Sequence, residues 1–195
     1  MATTRGHLAL TPEIDDFRKQ FEQLSGEADA LVAPLTEEQF TWRAGPEIWS
    51  IAQCFDHLNA TARFYLPYLD EGIADAIRRG LYAEGPFTYR RIGRLLVAFT
   101  EPPSRVRGQA RAALQPREPR DRQQVMPAFR AYQVQYVDRL RQANGLDLGR
   151  ATVRTPVARW LWMSLGSGFA LMAAHERRHV AQATKVRSMP GFPGK

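Results

Sequence analysis

Apolar residues recur at steps of three and four through most of this chain, and each stretch of the pattern ends on a signal that stops a helix. Ile14, Phe17, Phe21, Leu24, Ala28 and Leu31 form the first stripe, the spacing of one buried helix face. With Thr11 to cap it and Pro12 in its first turn, the stripe predicts a helix over residues 12–33. Thr36 and Gln39 make a capping box for one short helical turn. Ser50 and Gln53 make another. Ile51, Cys54, Phe55, Leu58, Ala62, Tyr65, Leu66 and Leu69 carry that second helix toward Gly80, with a bend expected at Pro67. Phe129, Tyr132, Tyr136, Val137 and Leu140 predict a third helix over 122–143, stopped by Asn144-Gly145. Phe169, Leu171, Met172 and Val180 predict a fourth over 167–187. No strand pattern competes.

Residues 81–120 break this rhythm. Gly85-Pro86, Pro102-Pro103, Pro116 and Pro119 punctuate them, with room for one short helix over 89–99. A connection this long can run the length of a bundle and return the chain parallel to the preceding helix. The pattern therefore predicts an all-α protein: a four-helix bundle with a long crossover between the second and third long helices. One domain over 1–195 accommodates it, with flexible tails at 1–10 and 188–195.

Composition narrows the function classes. At 44% hydrophobic residues the chain can bury a core. Its longest apolar run, Leu161 to Ala174, is too short and too interrupted to span a bilayer, so no membrane role is expected. The first ten residues have no secretory pattern, and one cysteine, Cys54, cannot form an internal disulfide; cytoplasmic residence is the default expectation. The net charge of +7 raises the question of nucleic acid. However, 24 arginines are spread over every predicted helix, and the densest group sits in the proline-broken crossover. No recognition motif accompanies them, so no specific nucleic-acid partner is expected.

The chemistry is concentrated in four histidines. His175 and His179 stand four apart on the fourth helix, one turn above the other on a single face. Two neutral imidazoles in that arrangement can both reach one divalent ion. His7 precedes any periodic pattern, whereas His57 lies within the second helix. His57, His175 and His179 together predict a three-histidine site in a bundle core, leaving at least one coordination position open for chemistry; the alternative for His57 is a hydrogen-bonded core histidine. Gln182 shares the face of the histidine pair, and Gln53 lies one turn before His57; either can orient a ligand. Cys54 reads as a small buried hydrophobe. His-Glu-x-x-His is also the pattern of zinc proteases, with Glu176 as base. Yet nothing after His179 supplies a third ligand, and Glu176 lies about 100° round the helix from His175. A surface carboxylate paired with Arg177 or Arg178 is the expectation for it.

Thr41-Trp42-Arg43, Glu47-Ile48-Trp49-Ser50-Ile51 and Asp56-His57-Leu58 resemble the first motif of the DinB-like family of metal-binding four-helix bundles. Ala174 to Gln182 resembles the second. The resemblance covers nearly the whole chain in helix order. It implies an up-down-down-up bundle, His57, His175 and His179 as ligands of a divalent ion, and a homodimer; histidine-rich sites accept zinc, nickel, iron and copper, so the sequence does not identify the ion. Members of that family include S-transferases and isomerases that use low-molecular-weight bacterial thiols, and proteins described only as metal-dependent hydrolases. The expected function is therefore metal-dependent transfer of a low-molecular-weight thiol, as co-substrate, onto a small electrophilic substrate. Hydrolysis by metal-activated water and a non-catalytic binding or stress-response role are the alternatives.

Overall fold

The computed structural model describes residues 9–103, 114–116, 121–155 and 160–194. His7, Pro119, Pro156 and the crossover arginines Arg105, Arg107, Arg111, Arg117 and Arg120 lie outside them. Four long helices follow the apolar stripes to within one or two residues at each end: α1 (Pro12–Val32), α3 (Ile51–Arg78), α5 (Arg122–Gln142) and α6 (Leu165–Arg187). Between them stand the short α2 (Glu37–Thr41) and, inside the crossover, α4 (Arg91–Thr100).

The helix ends have local causes. Both capping boxes form; Thr36 and Ser50 each accept a hydrogen bond from the backbone N–H three residues on. Asp121 caps α5 by accepting from the N–H of Gln124 at 2.8 Å. Thr11 stands at the start of α1 but its side chain makes no cap. Instead its backbone N–H donates to Asn144 Oδ1 at 2.9 Å, which ties the start of α1 to the end of α5. Gly80 and Gly145, with φ of 63° and 85°, supply the left-handed residues that end α3 and α5.

Side-chain pairs set the helix directions. Arg122 reaches the carbonyl of Val32 and Arg130 pairs with Asp29, while Phe21 stacks on Tyr136 at 4.7 Å; α1 and α5 are antiparallel. Phe17 meets Phe169, and Gln20 meets Arg177, so α1 and α6 are parallel. Asn59 bonds to Val125 and Asp70 to Arg139, so α3 and α5 are parallel as well. His57 meets His175 while the Tyr65 hydroxyl lies beside Gly168, so α3 and α6 are antiparallel. The topology is up-down-down-up. In cross-section α1 and α3 are diagonal, as are α5 and α6, and α4 packs on the outside of α6.

Two expectations are corrected. The connector after α5 contains a small hairpin, β1 (Thr152–Arg154) and β2 (Trp162–Ser164), paired antiparallel with Val153 opposite Met163. Three residues per strand are too few to register as an alternation, yet Val153 and Met163 both turn into the core. The residues after α6 do not trail away. Phe192 is buried against the edge of the Trp42 ring, and Gln39 donates to the carbonyl of Pro193 at 2.9 Å. Among the described residues no helix is long and apolar enough to cross a membrane.

Candidate metal centre

The Ser50 cap starts α3 so that His57 emerges two turns later on the face turned toward α6. On α6 the four-residue spacing stacks His175 and His179 on the facing surface. The three side chains converge: ring centroids are 5.1 Å apart for His57 and His175, 4.6 Å for His57 and His179, and 4.6 Å for His175 and His179. One nitrogen from each lies within 4.8 Å of the others, the only such group of potential ligands among the described residues.

Hydrogen bonding orients the rings. His57 Nδ1 lies 2.6 Å from the carbonyl of Leu114, in the crossover. A carbonyl only accepts, so His57 carries its proton on Nδ1 and turns the lone pair of Nε2 inward. That lone pair faces Nε2 of His175 at 3.2 Å. The Trp49 indole covers the pair on the α3 side, stacked on His179 at 5.8 Å and tilted over His57 at 4.9 Å. His57 and His179 are buried, while His175 keeps partial exposure, so the site opens past His175.

Electrostatics keep all three rings neutral. Burial is the first cause of a lowered pKa in each. His175 is pushed down to about 3, with His57 and then Arg178 adding repulsion. His179 falls well below the ordinary value through burial, then His175, His57 and Arg178. Neutral imidazoles are the form that binds a metal. Nδ1 of His179 is moreover buried with no hydrogen-bond partner among the described residues. Three inward-facing neutral nitrogens, one ring oriented by a carbonyl and one orphaned buried nitrogen fit a divalent cation.

Gln182 lies against His179 and favours its protonated form, without satisfying Nδ1. Gln53 accepts from the N–H of Ser50 at 3.0 Å, so its side chain belongs to the helix cap. Cys54 is fully buried, its thiol pushed up to about 12, and it is not among the converging groups. Glu176 corrects the expectation of a surface carboxylate. It is 3% exposed, accepts from Gln133 Nε2 at 3.0 Å across the bundle diagonal, and is raised to about 8, chiefly by burial. The reason is that α6 packs against α1, α3 and α4, and position 176 lies on its inner side, facing Gln133 of α5 across the core. Arg177, its expected partner, instead reaches Glu101 and Gln20. The chain pattern alone did not point to Trp49 as a cover for the site, to Gln133 or to the Leu114 carbonyl. A backbone acceptor has no sequence signature, whereas Trp49, next to the Ser50 cap, could have been placed over the first turns of α3.

Comparison with known proteins agrees with this architecture. The chain is similar to YfiT from Bacillus subtilis, described as a probable metal-dependent hydrolase with an unusual four-helix bundle topology. The TM-score is 0.58 at 12% identity, over 96% of this chain and 94% of that one. No curated protein matches in sequence. The pattern of the DinB superfamily matches residues 20–183, most of the chain. The chain belongs to the DinB superfamily.

Proposed function

We propose that this protein is a metal-dependent enzyme that transfers a low-molecular-weight thiol to an electrophilic small molecule, with His57, His175 and His179 holding a divalent ion. The observation that carries the reading is the convergence of three neutral imidazole nitrogens, the only such group of potential ligands among the described residues. A divalent ion bound there supplies Lewis acidity, which lowers the pKa of a thiol or a water molecule. A thiol so activated needs no protein base. The carboxyl of Glu176, next to His175 in the chain, is engaged by Gln133 instead. Trp49 shields one side of the site from water, and Arg178 places positive charge beside the rings, a complement for the carboxylates of an anionic thiol. A second reading, hydrolysis, is favoured by the description of the structurally similar YfiT.

Metal analysis of untagged protein, followed by turnover assays, tests both. We expect about one divalent ion per chain, lost in single alanine variants of the three histidines with helical circular dichroism retained. The holo-protein should consume monochlorobimane only when a cysteine-based thiol is present. Thiol-independent ester or amide cleavage would transfer the assignment to hydrolysis. Full metal content in His57→Ala would remove that residue from the site, and holo-protein active in neither assay would refute the enzyme reading.

A further inference from the structure

A cleft of about 500 Å³ lies between the second half of α3 and the outer face of the β1–β2 hairpin. Tyr68 is eleven residues beyond His57 along α3, about 16 Å on the helix axis. The cleft is therefore separate from the histidine cluster. Its construction follows from two local facts. Arg154 and Trp162 are directly opposite in the antiparallel ladder, so their side chains share one face, and the guanidinium sits over the indole, 5.1 Å from its centroid. Gly72 lets the helix approach the hairpin closely: a Cβ there would stand 2.8 Å from the carbonyl oxygen of Thr152. Two aromatic side chains, Tyr68 from α3 and Trp162 from β2, line the cleft together with Arg154.

Its charges do not cancel inside. Arg78 and Arg79 at the rim are both paired with Asp75. Nε of Arg154 is buried and finds no acceptor among the described residues. An unpaired buried donor costs on the order of 1–3 kcal/mol, more when charged. A guanidinium edge matches a carboxylate in plane. Glu71 and Asp75 on the α3 side disfavour a dianion such as a phosphate monoester. The volume is within the range of small-molecule sites, about 300–1,000 Å³. From this geometry we infer that the cleft between α3 and the hairpin is a second ligand site, which takes an aromatic monocarboxylate with its ring between Tyr68 and Trp162 and its carboxylate on Arg154.

Isothermal titration of the metal-loaded full chain with 2-naphthoate tests this, with neutral 2-naphthamide as control. We expect saturable binding of one naphthoate. The amide, and naphthoate on Arg154→Gln, should each bind at least about tenfold more weakly, a loss of about 1.4 kcal/mol. His57→Ala should bind naphthoate as the wild type does. If Arg154→Gln fails to fold by thermal melt, Trp162→Leu and Tyr68→Leu decide: weakened binding supports the site, and unchanged binding in both overturns it. No saturation up to about 10 mM, where affinity falls below about 3 kcal/mol, also overturns it. So does loss of binding in His57→Ala, which would place the probe at the histidines.

Discussion

Glu176 sets a measurable pH dependence on the stability of the metal-free protein. Its carboxyl is buried, receives one hydrogen bond from Gln133, and titrates near pH 8 rather than the usual 4.5, chiefly because of burial. Between about pH 4.5 and 8 the folded protein therefore holds a proton that the unfolded chain has released. The folded state binds more protons in that window, so stability falls as pH rises, with a limiting slope of about 1.4 kcal/mol per pH unit. The destabilisation is absent below the window and complete above it. The histidines act in the opposite direction. Their folded pKa values lie below the ordinary 6.5, so the unfolded chain takes up protons that the folded one refuses, and stability is lost as pH falls below 6.5. Together these predict a maximum near pH 6.5 and a fall of up to about 2 kcal/mol from there to pH 8. Glu176→Gln keeps the shape, can still accept from Gln133, and cannot ionise, so it should flatten the upper limb. Urea unfolding of chelator-treated protein, followed by circular dichroism from pH 5 to 8, measures both curves. Because other titrating groups are shared, the difference between the proteins isolates this residue. Parallel curves above pH 6.5 would mean that the folded protein already carries Glu176 ionised, and would refute the reasoning.

Two further outcomes follow from packing. Gly72→Ala places a Cβ 2.8 Å from the backbone oxygen of Thr152; since neither backbone can yield cheaply, we expect a loss of about 1–3 kcal/mol in urea unfolding, and an unchanged midpoint would mean that the hairpin is free to shift away from α3. Phe192→Ala empties a buried position beside Trp42; it should cost about 3–5 kcal/mol if the packing is as tight as in a core, with a red shift in tryptophan emission, whereas a change under about 0.5 kcal/mol, the scale of surface substitutions, would show that the C-terminal segment contributes nothing.

The four long helices and the capping boxes at Thr36 and Ser50 were legible from the chain alone, because apolar spacing and capping residues act over three or four neighbours; the Thr11 side chain, expected to cap α1, makes no cap, and its backbone N–H goes to Asn144 instead. Ser50 and Gln53 need only each other to start α3, and His175 and His179 share a face because of helix geometry alone. What lies between helices depends on the partner that covers each surface. Glu176 reads as a surface carboxylate until α6 is seen packed against α1, α3 and α4, with Gln133 waiting across the bundle diagonal. The short strands around Val153 and Met163 exist because the core behind them accepts two apolar side chains, which three-residue segments cannot announce. Phe192 looks like part of a tail until Trp42 is placed beside it. The inward lone pair of His57 is determined by the carbonyl of Leu114, fifty-seven residues away. A backbone oxygen is the same at every position, so only the path of the crossover could decide that it stands there.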